Sequence, residues 1–377
     1  MTSRERMLIA MKNGQPDMVP VAPDTSNMIP CRLTGKAFWD IYLYQDPPLW
    51  EAYAHASKHF GFDGWQPAVP VELDYEMEAA AQGPQWTEAI VHRTPERIYT
   101  RRWAMIEGKR QWTATCTVYY IADPPTWNIP LKKARLPETN PDTWEDVVPR
   151  TRYRGTEALK RCKEITGEDG VVGTSVGTPA LALSAEAVYE WADNRDAVIK
   201  RCEQAGEACI RRARELVKLD LDFILTGGSG LMINNPEPIF RILGLPTLKE
   251  VTRICKEAGV PSQIHCCGPE YDLVRICAEE TDLSSINPLE IPPMGDCNLA
   301  QIKREFGSKI SLMGNLHTTD VMLRGTPEVV REAAKQAIDD AAEGGGFILS
   351  TGDQCGRDTP DENIMALIEV ARTYGRY

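Results

Sequence analysis

A histidine and a cysteine two residues apart on a β-strand can share a metal ion, and Ile264-His265-Cys266-Cys267-Gly268 contains such a pair. The preceding Ser262-Gln263-Ile264 reads as a strand, and alternate side chains on a strand face the same way, so His265 and Cys267 point together while Cys266 points to the opposite face as a structural cysteine. A third ligand is available where the apolar run Phe347-Ile348-Leu349 gives way to Ser350-Thr351-Gly352-Asp353-Gln354-Cys355-Gly356. His265, Cys267 and Cys355 together would leave one coordination position open, which is the arrangement of a catalytic zinc site. The competing reading is that these are buried or incidental cysteines, because free cysteine is a common small core residue.

Two carboxylates stand at expected strand ends near these residues. Glu290 closes Ser284-Ser285-Ile286-Asn287-Pro288-Leu289-Glu290, and Asp353 lies two residues before Cys355. Each reads equally as a fourth metal ligand, as a partner that orients His265, or as a solvated loop carboxylate. His317, after Lys309-Ile310-Ser311-Leu312-Met313-Gly314-Asn315, reads as a base, as a group supporting the ligands, or as a satisfied structural histidine. Gly227, Gly228 and Gly230 lack the following Lys-Ser/Thr of a phosphate loop and read as a tight turn or as room for a ligand.

These residues need a scaffold that gathers strand ends. Short apolar runs at VVGTSVGT, LDFILTGG, PSQIHCCG, SSINPLEI, KISLMGN and GGFILSTG alternate with amphipathic stretches. The helical stretches run from Arg195 to Leu219, Leu248 to Ala258, Asn298 to Phe306, Pro327 to Glu343 and Pro360 to Arg372. Alternating strands and helices imply βαβ crossovers and a parallel sheet. With the apolar MVPVAPD near the start, the pattern predicts an α/β fold of the (β/α)8 TIM-barrel type. A doubly wound open sheet competes less well, because no G-x-G-x-x-G turn follows the first strand. Residues from about 53 to 144 break the rhythm and carry Trp65, Trp86, Trp103, Trp112 and Trp127. They read as an aromatic-rich insertion with a β-hairpin around Glu107-Gly108-Lys109, its aromatics packing the hairpin onto the scaffold. The expectation is one domain over residues 1–377.

Thr2 and Glu5 have the spacing of a capping box, so the opening residues read as a short charged helix rather than a secretion signal. Eleven cysteines cannot all pair with one another, and without a signal most should stay reduced. Cys202, Cys209 and Cys255 fall in helical patterns and read as core. A net charge of -12 argues against nucleic acid as a partner, and no run is apolar and long enough for a membrane span, so a cytoplasmic protein is expected.

RERMLIAMKNGQPDMVPVAP, the IHCCG turn, MGNLHTTDVMLRGTPEVV and GGFILSTGDQCGRDTPDENI together resemble the uroporphyrinogen decarboxylase-like barrels, and within them the cobamide (corrinoid)-dependent methyltransferases. The resemblance implies zinc (Zn2+) on His265, Cys267 and Cys355, with the corrinoid supplied by a partner protein and a homodimer as an allowed assembly. True uroporphyrinogen decarboxylases have an Arg-rich segment near the N-terminus where this chain has DTSNMIPCRLTGK, which weighs against decarboxylation. Similarity to methyltransferase components of O-demethylase systems implies transfer of a methyl group from a methoxylated aromatic compound to cobalt(I). A methylcobamide:thiol methyltransferase of the coenzyme M type is the alternative, and a decarboxylase the second.

Overall fold

The chain opens on a helix, Ser3–Met11, whose first turn is closed in both directions. Thr2 Oγ1 accepts from the Glu5 N–H at 3.2 Å, and Glu5 Oε2 accepts from the Thr2 N–H at 2.8 Å, so two orphan donors of the first turn are satisfied. The structure is a computed structural model and describes residues 1–137 and 140–377. These form two compact units: Met1–Thr25, Ser57–Val69 and Thr166–Tyr377 make the first, and Ser26–Ala56 with Pro70–Ile165 the second.

In the first unit seven strands form one sheet in the order β1 (Gly64–Gln66), β2 (Gly170–Ser175), β3 (Phe223–Gly227), β4 (Ser262–His265), β5 (Ser285–Asn287), β6 (Ser311–Leu316) and β7 (Phe347–Thr351). All six pairings are parallel. Every residue of β6 and β7 is buried, as expected of apolar runs covered on both faces. Between strands run Arg195–Leu216, Leu245–Glu257, Tyr271–Glu280, Leu299–Phe306 and Pro327–Ala341, and Asp361–Thr373 follows β7. Leu245–Glu257 shows why such stretches are helical, since Leu248, Val251, Thr252 and Cys255 recur at three- and four-residue spacing and are all buried. Cys202 and Cys255 are core residues, while Cys209 is half-buried.

The segment around Val21 bonds to both edges of this sheet. On one side the Leu349 N–H donates to Pro20 O and the Ala22 N–H to Leu349 O, each at 2.9 Å; on the other the Asp63 N–H donates to Val21 O at 2.8 Å. Asp63, fully buried just before β1, locks the arrangement. Its Oδ2 accepts from the Val21 N–H at 2.9 Å and lies 3.1 Å from Arg372, while its Oδ1 accepts from Arg6 at 2.8 Å. Above this network Met7, Met11, Ala22, Trp65, Val171, Phe223, Met313 and Ile348 share one apolar cluster.

Trp65 is a correction to the sequence reading, which places it in the insertion. It lies on β1, and its Nε1–H donates to Gln263 Oε1 on β4 at 2.9 Å, while Gln263 Nε2–H donates to Ser285 Oγ on β5 at 3.2 Å. A three-residue strand surrounded by aromatic-rich sequence has no periodicity of its own to reveal it.

The second unit is an antiparallel sheet of Thr87–Arg93, Arg97–Ile106, Lys109–Trp112, Thr115–Tyr120, Thr126–Pro130 and Glu145–Asp146. Ile106 pairs with Lys109 across Glu107 and Gly108, whose φ angles of 51° and 74° are the left-handed conformations a two-residue hairpin turn requires. Trp112 packs edge-on against Trp144 at 4.6 Å, and Arg110 sits 4.1 Å over Trp103. Where the sequence suggests one domain with an insertion at about 53–144, the second unit also takes in earlier residues. Cys31, Phe38 and Ile41 bury one another, and Leu43 packs with Ile90, Ile98, Tyr119 and Val147, so helices before residue 53 find their apolar partners in this sheet. No helix among the described residues is long and apolar enough to cross a membrane.

Replacing Asp63 by alanine should strip Arg6 and the Val21 N–H of a buried partner at once. We expect a loss of about 3–5 kcal/mol in urea unfolding, the usual cost of orphaning one member of a buried ion pair. An unfolding midpoint equal to wild type would show that the Val21 segment is held without this carboxylate.

Candidate metal centre

β4 delivers His265 to the end of the sheet, and the backbone then leaves the strand through Cys266, Cys267 and Gly268. The Gly228 N–H donates to His265 O at 2.8 Å and the Gly230 N–H to Cys267 O at 3.2 Å, so the glycine turn after β3 cradles the His-x-Cys segment. Gly227 is required there: its φ is 85°, and a Cβ would lie 2.4 Å from the His265 carbonyl oxygen. Cys266 is fully buried and Cys267 half-buried, as the sequence reading of Cys266 as structural implies.

His265, Cys267 and Asp353 each offer one ligand atom, and these atoms all lie within 4.8 Å of one another. His265 Nε2 is 4.0 Å from Asp353 Oδ1. Asp353 follows β7 with a φ of 149°, a conformation that L residues rarely adopt, and the Thr351 hydroxyl donates to its carbonyl oxygen at 2.7 Å. Imidazole nitrogen, thiolate sulfur and carboxylate oxygen are the donor types zinc takes, so the residues present fit that ion.

Cys355, the third ligand in the sequence reading, is not in this group. It is fully buried, its N–H donates to Asp24 O at 2.8 Å, and burial pushes its thiol up to about 12. The turn after β7 thus brings its carboxylate, rather than its cysteine, to the His265–Cys267 pair. Burial also raises the Cys267 thiol, and the nearby Asp353 charge adds to the effect.

Glu290 lies outside the group of three but holds the turn that carries Cys267, since its Oε2 accepts from the Gly268 N–H at 2.5 Å. Burial raises its carboxyl above the ordinary range, the Gly268 bond opposes this, and the Asp353 charge reinforces it. Beside it runs a cleft lined by Glu290, Ile291, Met294, Asn315, His317 and Gly352. His317 therefore shares the cleft with Glu290.

Sequence reasoning missed Glu270 and Asn315. The Asn315 amide donates to Leu289 O at 3.2 Å, and Glu270 Oε2 accepts from the Leu289 N–H at 2.7 Å, so the two hold the backbone beside Glu290 from opposite sides. Leu289 has a φ of 62°, which a bulky side chain adopts only where its surroundings enforce it. Glu270 is completely buried with its Oε1 unpartnered, and burial raises its carboxyl well above the usual value. Its position just after the Cys267 turn, in Gly268-Pro269-Glu270, is the only sequence signal, and it follows no strand or helix spacing.

Residues 169–374 match the family described as Uroporphyrinogen decarboxylase (URO-D), and the chain belongs to that family. Among curated relatives, the methylcobamide:CoM methyltransferase MtbA of Methanosarcina mazei is 25% identical over 233 residues, covering 58% of this chain and 62% of that protein. The chain thus matches less than two thirds of that relative's length. Uroporphyrinogen decarboxylase of Pseudoalteromonas translucida is 30% identical over 77 residues, 20% of this chain and 21% of that one. A solved structure of a methyltransferase from Methanosarcina mazei superposes with a TM-score of 0.62 at 19% identity, covering 99% of each chain, which establishes a shared fold.

Glu270 generates a pH prediction. Its carboxyl is raised in the fold, so the native state keeps the proton above about pH 4.3, where an unfolded glutamate releases it. Stability is therefore lost as pH rises from the unfolded value through the native one. Glu270→Gln keeps the acceptor for Leu289 and carries no charge, so its stability relative to wild type should improve in urea melts as pH rises above the unfolded value of about 4.3. A difference that does not change with pH would show that Glu270 ionises in the fold as freely as in the unfolded chain.

Proposed function

We propose that this protein is a zinc-dependent methyltransferase that moves a methyl group from a methoxylated aromatic compound to the cobalt(I) of a corrinoid held by a partner protein. The observation that carries the reading is the His265, Cys267 and Asp353 donor set at the ends of parallel strands, near the small cleft lined by Glu290, His317 and Gly352. Relatives named as methylcobamide-dependent methyltransferases support the reaction class. The shared fold and the Val21 segment between β7 and β1 support a closed (β/α)8 barrel as the scaffold.

His265 and Cys267 would hold the ion together with the turn of residues 353–355, whose Asp353 carboxylate lies within range of the pair and whose Cys355 offers a thiol in the same turn. Bound zinc supplies Lewis acidity at the substrate heteroatom. Glu290 fixes the Gly268 backbone and thereby the Cys267 side of the ligand set. Ile291 and Met294 give the lining of the cleft apolar side chains, and Asn315 and His317 give it polar groups. The methyl carbon leaves the ether oxygen with the C–O electron pair remaining on oxygen, and the cobalt(I) electron pair forms the new carbon–cobalt bond.

A second reading is transfer from methylcobamide to a thiol, favoured by relatives named as methylcobamide:CoM methyltransferases. The same ligand set suits it, because a zinc-bound thiol ionises more readily.

The test combines metal analysis with two transfer assays. Wild type should hold close to one zinc per chain, His265→Ala and Cys267→Ser should lose it, and comparison of Asp353→Ala with Cys355→Ser assigns the remaining ligand. With 2-methoxyphenol and cob(I)alamin, methylcobalamin formation should follow the zinc content, whereas turnover only from methylcobalamin to a thiol would reverse the direction. Zinc-free protein with full transfer activity would overturn the metal role, and zinc-free protein with neither transfer activity would return a decarboxylase to first place.

A further inference from the structure

His317 bears a constraint that fixes what its ring can do. Its Nδ1 accepts from two backbone donors, the Thr319 N–H at 3.1 Å and the Asp320 N–H at 3.0 Å, at the start of the π-helical turn Thr318–Leu323. A ring nitrogen that accepts carries a lone pair, so the proton of the neutral imidazole sits on Nε2. Asp320 Oδ2 lies 4.0 Å from Nε2, beyond hydrogen-bonding reach. The side chain is only 15% exposed, and the ring lines the cleft together with Glu290, Asn315 and Gly352.

We propose that His317 is a neutral hydrogen-bond donor, through Nε2–H, to the oxygen of the substrate in this cleft, and that it selects oxygen-bearing ligands of the aryl ether and phenol class. A general base needs a free lone pair facing the substrate, and here the only lone pair is spent on the backbone. This role deepens the methyl-transfer reading and rests on it. As the C–O bond breaks and its electron pair settles on the aryl oxygen, the Nε2–H bond to that oxygen strengthens, while the proton itself stays on nitrogen and solvent protonates the departing phenolate. The rotation of the ring is set by the two backbone bonds, so the donor is in place before the charge develops.

The decisive variant is His317→Asn, whose side-chain oxygen can still cap the turn, because asparagine is among the preferred helix N-caps, but which offers no donor at the position of Nε2. Its thermal midpoint should match wild type, its zinc content should be unchanged, and its turnover of 2-methoxyphenol should fall about 100-fold, the usual effect of removing one donor to a developing oxyanion. Wild-type turnover in His317→Asn would reduce the residue to a cap and overturn the proposal. Nitrogen-15 NMR of the imidazole gives a readout that does not depend on activity. Nδ1 should be pyridine-like and Nε2 protonated, and the Nε2–H resonance should move when phenol is titrated into the protein without corrinoid. A proton on Nδ1, or an Nε2–H resonance that phenol leaves unmoved, would overturn the donor role even in an active enzyme. A phenol-induced shift in a protein that demethylates no methoxyarene would support the donor and overturn the reaction instead.

Discussion

Asp63 sits where the two edges of a curved parallel sheet come together, and its two oxygens are shared among Arg6, Arg372 and the Val21 N–H. A carboxylate in that position is costly to bury, and its charge is compensated only because two guanidinium groups and a backbone donor converge on it. In return it fixes a segment that bonds both to β7 and to the residue just before β1. The strand ends that carry His265 and Asp353 belong to the same sheet, so the distance between these two side chains depends on a network at the other end of the strands. Rigid placement of this kind lets a site be built from residues far apart in sequence.

At the functional end the pattern is one of backbone held by side chains. Glu290 holds Gly268, Glu270 and Asn315 hold Leu289, Thr351 holds Asp353, and His317 holds the turn that follows it. The groups that would meet a ligand thus stand on loops whose backbone polar groups are largely spoken for. Loops of this type can carry unusual φ angles, as at Leu289 and Asp353, without becoming loose.

Much of the first unit was legible in the sequence because its signals are long and repeated. Six apolar runs and five amphipathic stretches fall within a few residues of the strands and helices observed, and the Thr2–Glu5 capping box forms as its spacing implies. His265 and Cys267 were readable together since strand alternation is a local rule. The third member of the group was legible only as a choice within one loop, between Asp353 and Cys355, because no spacing rule says which residue of a loop comes nearest a neighbouring strand end. Trp65 and Glu270 escaped for related reasons: one lies on a strand too short to show a period, and the other acts through a hydrogen bond to a backbone group nineteen positions away in sequence. The extent of the second unit was hidden because Trp39, Tyr42 and Leu43 look like ordinary helix-core residues until the sheet they pack against is known.

The pairing of Pro20 and Ala22 with Leu349 has a consequence for how the protein is made. During synthesis the residues around Val21 emerge from the ribosome long before β7 exists, and one of the two edges they bond to is missing until more than three hundred further residues have been added. An apolar stretch such as Val19-Pro20-Val21-Ala22 must therefore wait, exposed or sheltered by another contact, while the intervening βα units assemble. Closure of the sheet is then a late, long-range event, of the kind that slows folding and gives molecular chaperones an interval in which to act.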